Sequence, residues 1–230
     1  MTEPLNLINF TWEQIQEKIK SNQPFTFVRY GDGDIQCMLG NSRNTMNCDK
    51  HMYFPGLGKK LQLSFVCAPL KENYMVSLQS KMLTDMGRQI YAFIENNRMA
   101  RLWYYADCMH DASAEGRFYD SFVSLTKDDS IACYIGPKRF ESVCHNFIEI
   151  PSLNCWLQYE RTKAMAVDMV LKGVTRFYAS ASMLTKVLFF EMYEMFADEI
   201  QQIDLGSVLE PYVGVSNRRY HEKVLEGMGK

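Results

Sequence analysis

From residue 25 onward, short apolar runs alternate with stretches of helical periodicity, and this alternation leaves few architectures open. Ser130-Ile-Ala-Cys-Tyr-Ile135 is apolar almost throughout, as in a strand buried on both faces. Strands are also predicted at Phe25–Val28, Tyr74–Leu78, Leu102–Ala106, Phe147–Ile150, Arg176–Ala179 and Ile200–Leu205. Between them the spacing predicts helices over 83–97, near 116–125, over 157–172 and over 183–197, with a short helix after Gly136-Pro137. A first helix is expected over 11–20, where Thr11 and Gln14 have capping-box spacing. The tail from about 215 is polar and is expected to fold over a neighbouring face. The prediction is an α/β fold in a single domain, with a mostly parallel sheet and helices on both faces.

Phe25-Thr-Phe-Val-Arg-Tyr-Gly-Asp-Gly-Asp34 carries the first chemical signal. Phe25, Phe27 and Val28 supply strand bulk. Gly31 and Gly33 allow a tight turn, and Ile35 and Met38 resume as a helix would. The turn bears Asp32 and Asp34, two carboxylates that repel unless a divalent cation lies between them and an anionic ligand. Arg29, just before the turn, has the planar fork that grips a phosphate. Asp and Gly are also ordinary turn formers, so the stretch by itself fits a plain turn equally well.

Composition removes other classes. A net charge of -2 gives no general case for nucleic-acid binding. Seven cysteines with no CxxC pair suit free thiols in a reducing compartment, and a cytoplasmic protein is expected. Cys48 to His51 and Cys144-His145 lack the paired spacing of structural zinc. The polar start shows no signal-peptide pattern, and Glu191 and Glu194 interrupt the longest apolar run, so no membrane span is expected. There is no GxSxG elbow, no HExxH and no third glycine for GxGxxG. Gly56-Leu-Gly-Lys-Lys60 lacks phosphate-loop spacing and reads as the start of a helix running to about Val66.

In a parallel sheet the loops leaving the strands share one edge. That edge collects Asp32, Asp34, Gly136, Asn154, Ser180, Ser182, Gly206 and Ser207, an inventory suited to an anionic nucleotide ligand. Ser180 and Ser182 serve equally well as helix caps. Lys186, one turn into the next helix, faces either the ligand or solvent.

The motifs, taken in order, resemble the GT-D-type glycosyltransferases. Val28-Arg-Tyr-Gly-Asp-Gly-Asp34 is similar to that family's Arg-Phe-Gly-Asp-Gly-Glu signature, which holds its D-x-E motif. Asn47-Cys-Asp49 with Tyr53 to Leu61, Ile135-Gly-Pro137, Ile150 to Trp156, Ser180 to Leu188 and Ile203-Asp-Leu-Gly-Ser207 resemble its later segments. The likeness spans about Phe25 to Gly214. It implies a Rossmann-like, metal-dependent enzyme that moves a sugar from a nucleotide-diphosphate sugar to an acceptor hydroxyl. A divalent ion, Mn2+ or Mg2+, would sit on Asp32 and Asp34. Arg29, Tyr30, Gly31, Gly33, Asn47, Gly136, Asn154, Ser180, Ser182, Lys186, Gly206 and Ser207 would face the substrates. Asp34 departs from the family's Glu by one methylene, Tyr30 from its Phe, and Glu210 from an Asp after the Gly-Ser segment.

A general base is needed if configuration inverts, and Asp49, Asp204 and Glu160 are the candidates. The expected acceptor is a glycan, a glycoprotein or a small molecule. A DNA base is the lesser expectation, through Lys138-Arg139 and Arg218-Arg219. Two other functions remain open: a phosphate-ester hydrolase with Asp32 as nucleophile, supported by Lys186 and Asp204, and a catalytically silent nucleotide-sugar binding module.

Overall fold

The computed structural model describes residues 5–40, 45–216 and 218–227. In chain order the elements are β1 (Leu7–Ile8), α1 (Trp12–Lys20), β2 (Phe25–Tyr30), α2 (Asp32–Met38), α3 (Pro55–Val66), β3 (Tyr74–Leu78), α4 (Ser80–Asp85), α5 (Gly87–Asn96), β4 (Trp103–Tyr105), α6 (Cys108–Ala114), α7 (Tyr119–Thr126), β5 (Ala132–Gly136), β6 (Asn146–Glu149), α8 (Tyr159–Leu171), β7 (Arg176–Ala179), α9 (Leu184–Phe196), β8 (Gln201–Asp204) and α10 (Arg219–Gly227). Short 3-10 turns occupy Lys138–Val143, Cys155–Gln158 and Glu210–Val213.

The strands form one eight-stranded sheet in the order β1-β4-β3-β2-β8-β7-β5-β6, and every pairing between them is parallel. Side-chain alternation sorts two cores. Val28, Tyr30, Val76, Ile135 and Phe177 face α2, α3, α5, α8 and α9. Phe25, Phe27, Met75, Tyr134, Tyr178 and Ile203 face α1, α6 and α7. The order places the site. From β2 the chain proceeds through β3 and β4 to one side, and it returns from the other side through β7 to β8, which pairs with β2. Their carboxyl ends therefore flank a switch-point crevice.

Some elements differ from the sequence expectation for local reasons. The helix expected over 83–97 is two helices, broken at Met86 before Gly87, a weak helix former. Cys108–Ala114 is a helix with no long apolar period; its buried Cys108, Met109 and Ala112 are enough to dock it. The polar tail forms α10, which packs on α6 and buries Val224. Thr11 and Gln14 make the expected capping box. Gly58 serves packing: a Cβ there would lie 2.6 Å from the Cys37 carbonyl oxygen, so it lets α3 close on α2. All seven cysteines are free thiols. Residues 41–44 of the expected polar loop lie outside the described residues. Among the described residues no helix is long and apolar enough to cross a membrane.

Candidate active site

A cavity of about 310 Å³ opens at the crevice between the ends of β2 and β8. The two acids of the glycine turn lie in the first turn of α2, where the helix dipole favours negative charge, and they have different surroundings. Asp32 is exposed, and its Oδ1 accepts from the Gly33 N–H at 2.9 Å. Asp34 is buried, and its Oδ2 accepts from the Gly31 N–H at 2.8 Å. Its Oδ1 is buried with no hydrogen-bond partner. Burial raises the Asp34 pKa above 3.8, against the opposing pull of Lys186.

Lys186 comes from α9 and is turned fully inward. Its Nζ lies 3.6 Å from Asp34 Oδ2 and 3.2 Å from Asp204 Oδ2, and it donates to the Ser182 carbonyl at 3.1 Å. Burial opposes its charge, but Asp204 and Asp34 outweigh that and hold its pKa above 10.5. Asp204, 1% exposed at the end of β8, also accepts from the Arg29 N–H at 3.2 Å and the Gly206 N–H at 3.0 Å. With both oxygens engaged, it holds Lys186 in place and has no free edge for an acceptor.

The guanidinium of Arg29 is used within the fold, contrary to the expected phosphate fork. Nε donates to the Ala106 carbonyl at 2.7 Å, Nη1 to the Leu205 carbonyl at 2.9 Å, and Nη2 lies 2.6 Å from His110 Nδ1. His110 accepts that contact because burial and the Arg29 charge push its pKa well below 6.5. Gly206 sits against the same guanidinium with φ +56; a Cβ there would come within 2.4 Å of Arg29 Nη1.

The other expected residues divide between the cavity and its frame. Gly31, Gly33, Asn47, Asp49, Ser180, Ser182 and Ser207 line the cavity. Asn47 Oδ1 accepts from the Asp49 and His51 N–H groups, and its Nδ2 donates to Ser182 Oγ at 3.1 Å. Ser182 has φ 52, a left-handed conformation unusual for a residue with a side chain. Ser180 Oγ accepts from Tyr134 at 2.6 Å. Three expected substrate contacts do not reach the cavity wall. Tyr30 points into the core and bonds Ser64 at 3.0 Å. Gly136 leaves room for the Tyr134 and Phe140 rings. Asn154 uses its carbonyl oxygen to accept from Met52 N–H at 2.8 Å, fixing the 47–52 turn. Glu160 stands exposed on α8, paired with Lys163 and away from the cavity.

No protein-family model matches the chain, and no curated protein matches its sequence. Solved structures do match. One is described as the highly conserved domain of unknown function 1792 with a distinct glycosyltransferase fold: 18% identity, TM-score 0.63, covering 90% of this chain and 80% of that one. Another, described as a new glycosyltransferase (DUF1792) from Streptococcus sanguinis, aligns at 14% identity and TM-score 0.63 over 90% of this chain and 84% of its own. This chain has a glycosyltransferase fold.

On that glycosyltransferase fold, His110, Glu210, Arg139 and Arg218 are among the cavity residues to which the sequence reading gave no donor-site role. His110 and Glu210 were unassigned, and Arg139 and Arg218 appeared only as members of surface basic pairs. Arg218 pairs with Asp49, and Arg139 Nη2 reaches Glu210 Oε1 at 3.1 Å. The signal for Glu210 was its place after the Gly206-Ser207 turn, where the resembled family carries Asp.

Proposed function

We propose that the protein is a metal-dependent glycosyltransferase that moves a sugar from a nucleotide-diphosphate sugar to an acceptor hydroxyl of a glycan, a glycoprotein or a small molecule. The observation that carries this reading is Asp34 Oδ1, a buried carboxylate oxygen without a partner, in the switch-point cavity of a glycosyltransferase fold. Such an oxygen is costly unless a ligand completes it. Among the described residues no group of three or more His, Cys, Asp or Glu side chains could cage a metal. Asp34 Oδ1 and the exposed Asp32 carboxylate supply a partial shell. That suits Mg2+ or Mn2+, which take their remaining oxygens from a diphosphate and water. A divalent ion held by Asp32 and Asp34 would supply positive charge against the negative charge on the leaving nucleotide diphosphate.

The chain's own residues do the rest. Lys186 presents a fixed ammonium beside the acids, preorganised by Asp204 and by the Ser182 carbonyl. Asn47 and the strained Ser182 hold the opposite lip in register. Arg29 locks the strand ends beneath. Asp49 is the candidate base that lines the cavity with an accessible edge, once Arg218 is drawn away from it. Arg139 and Arg218 engage carboxylates in the cavity wall, which removes one member of each basic pair from any DNA-backbone strip. The Asp34–Lys186–Asp204 cluster also fits a phosphate-ester hydrolase, and the assay must separate the two.

A thermal-shift panel of nucleotide diphosphates and their sugars, each with Mn2+ or EDTA, tests the reading. Ligand at a hundred times its dissociation constant adds about 2.7 kcal/mol. At roughly 2–4 °C per kcal/mol for a chain of this size, that is a rise of roughly 5–10 °C. The rise should occur for one base, require metal and vanish in Asp32→Ala. No shift with any nucleotide would sink the proposal. Phosphate release from simple esters without sugar transfer would favour the hydrolase.

A further inference from the structure

The wall made by Arg139 and Arg218 contains two buried atoms without partners, and neither belongs to the Asp32–Asp34 turn. Arg218 stands at the head of α10; its Nη2 donates to Asp49 while its Nε is buried with no hydrogen-bond partner. Asp49 therefore uses only part of the guanidinium edge. Arg139, on the 3-10 turn after β5, lies over the Phe140 ring and reaches Glu210 Oε1. Glu210 is buried, and its Oε2 has no hydrogen-bond partner, with His221 Nε2 at 3.9 Å. Burial raises the Glu210 pKa above 4.5 against the pull of Arg218 and Arg139. Both arginines line the cavity together with Asp49 and Glu210.

A planar guanidinium with an unused N–H suits an oxyanion that can bridge two adjacent nitrogens. A carboxylate that meets its arginine through one nitrogen is a weaker partner than a phosphate held through two. Each protein carboxylate meets its arginine through one nitrogen, which leaves donors on the guanidinium for a more strongly charged anion.

We propose that Arg139 and Arg218 form a second anion subsite in the cavity, built for a phosphoryl group that displaces Asp49 from Arg218. The group is either the donor's diphosphate or a phosphate on a second ligand. The subsite stands whether or not the cavity transfers a sugar, because it needs neither the metal nor the acid pair.

Titration calorimetry of the full chain with inorganic pyrophosphate, in EDTA at low ionic strength, tests this. Binding should be measurable and weaken as salt rises. Arg218→Gln and Arg139→Gln should each lower the affinity at least tenfold, and Glu191→Gln, outside the cavity, should leave it within twofold. Asp49→Asn removes the competing carboxylate and should tighten binding severalfold, a gain that no folding defect can imitate. Absence of pyrophosphate binding to the wild type, unchanged affinity in both arginine variants, or weaker binding in Asp49→Asn would overturn the subsite. Repeating the titration with saturating nucleotide diphosphate separates the sources. Continued binding assigns the subsite to a second ligand, and competition assigns it to the donor.

Discussion

Two charge clusters of mirrored composition sit in opposite surroundings. In the cavity, Lys186 is held between Asp34 and Asp204, all three side chains no more than 7% exposed. On the outer face, Glu191 lies between Lys60 at 2.6 Å and Lys163 at 2.9 Å, with side chains 24–37% exposed. The outer cluster has the shorter contacts and little at stake, because water compensates whatever the protein withdraws. The inner cluster has longer contacts, one orphaned oxygen and an excess negative charge away from water, an arrangement that packing alone would not favour. Contact length alone therefore does not separate the two clusters; the incomplete partner set of Asp34 does.

The largest test of this contrast is Lys186→Met. It strands two buried carboxylates, so stability at neutral pH should drop by about 3–5 kcal/mol, read from the urea midpoint. The folded pKa of Lys186 is raised, so its contribution is complete below 10.5 and is lost as pH climbs through the folded value. The variant should lack that alkaline limb. A loss under 1 kcal/mol would show that the inner cluster is as solvated as the outer one. Next in size is Gly206→Ala, which meets both a left-handed backbone and the Arg29 guanidinium. A loss of about 2 kcal/mol is expected in the same assay.

A smaller effect appears only on acidification. Because the His110 pKa is depressed in the fold, the unfolded chain takes up protons first as pH falls below 6.5, and stability declines there. His110→Gln should flatten that limb in melting curves taken from pH 7.5 downward. The smallest effect is Glu191→Gln. Burial works against ionisation of Glu191, but hydrogen bonds from Lys60 and Lys163 win and hold its pKa at about 2. Its contribution is present above 4.5 and is lost as pH falls toward 2. After solvent screening it is worth no more than about 1 kcal/mol and should shrink further in molar salt, as paired melts at two ionic strengths would show.

What the sequence revealed and what it hid follows the same division. A mostly parallel sheet was legible because buried strands and amphipathic helices have different periods, and the structure makes every pairing parallel. Once the strands were parallel, Asp32, Asp34, Ser180, Ser182, Gly206 and Ser207 had to share an edge. The fate of each charge was not legible. Arg29 looked like a free fork because nothing local shows that the Ala106 and Leu205 carbonyls end beside it. Lys186 looked as fit for solvent as for ligand, because its burial depends on Asp204, eighteen residues on and on another element. The pairing of Arg139 with Glu210 and of Arg218 with Asp49 was hidden for the same reason: long-range pairing leaves no periodic trace. α6 and α10 were missed because each docks through a few buried side chains.

The grip of Arg29 also bears on the order in which the molecule opens. One side chain bolts the end of β2 to the backbone leaving β4 and to that leaving β8, and Tyr220 of α10 packs against the His110 that completes the hold. Amide protons along the β2–β8 seam should therefore exchange only through global unfolding, while α10 peels away and re-docks at lower energy. A cavity whose floor exchanges last and whose far wall exchanges early can admit a ligand from the α10 side without disturbing the geometry beneath it.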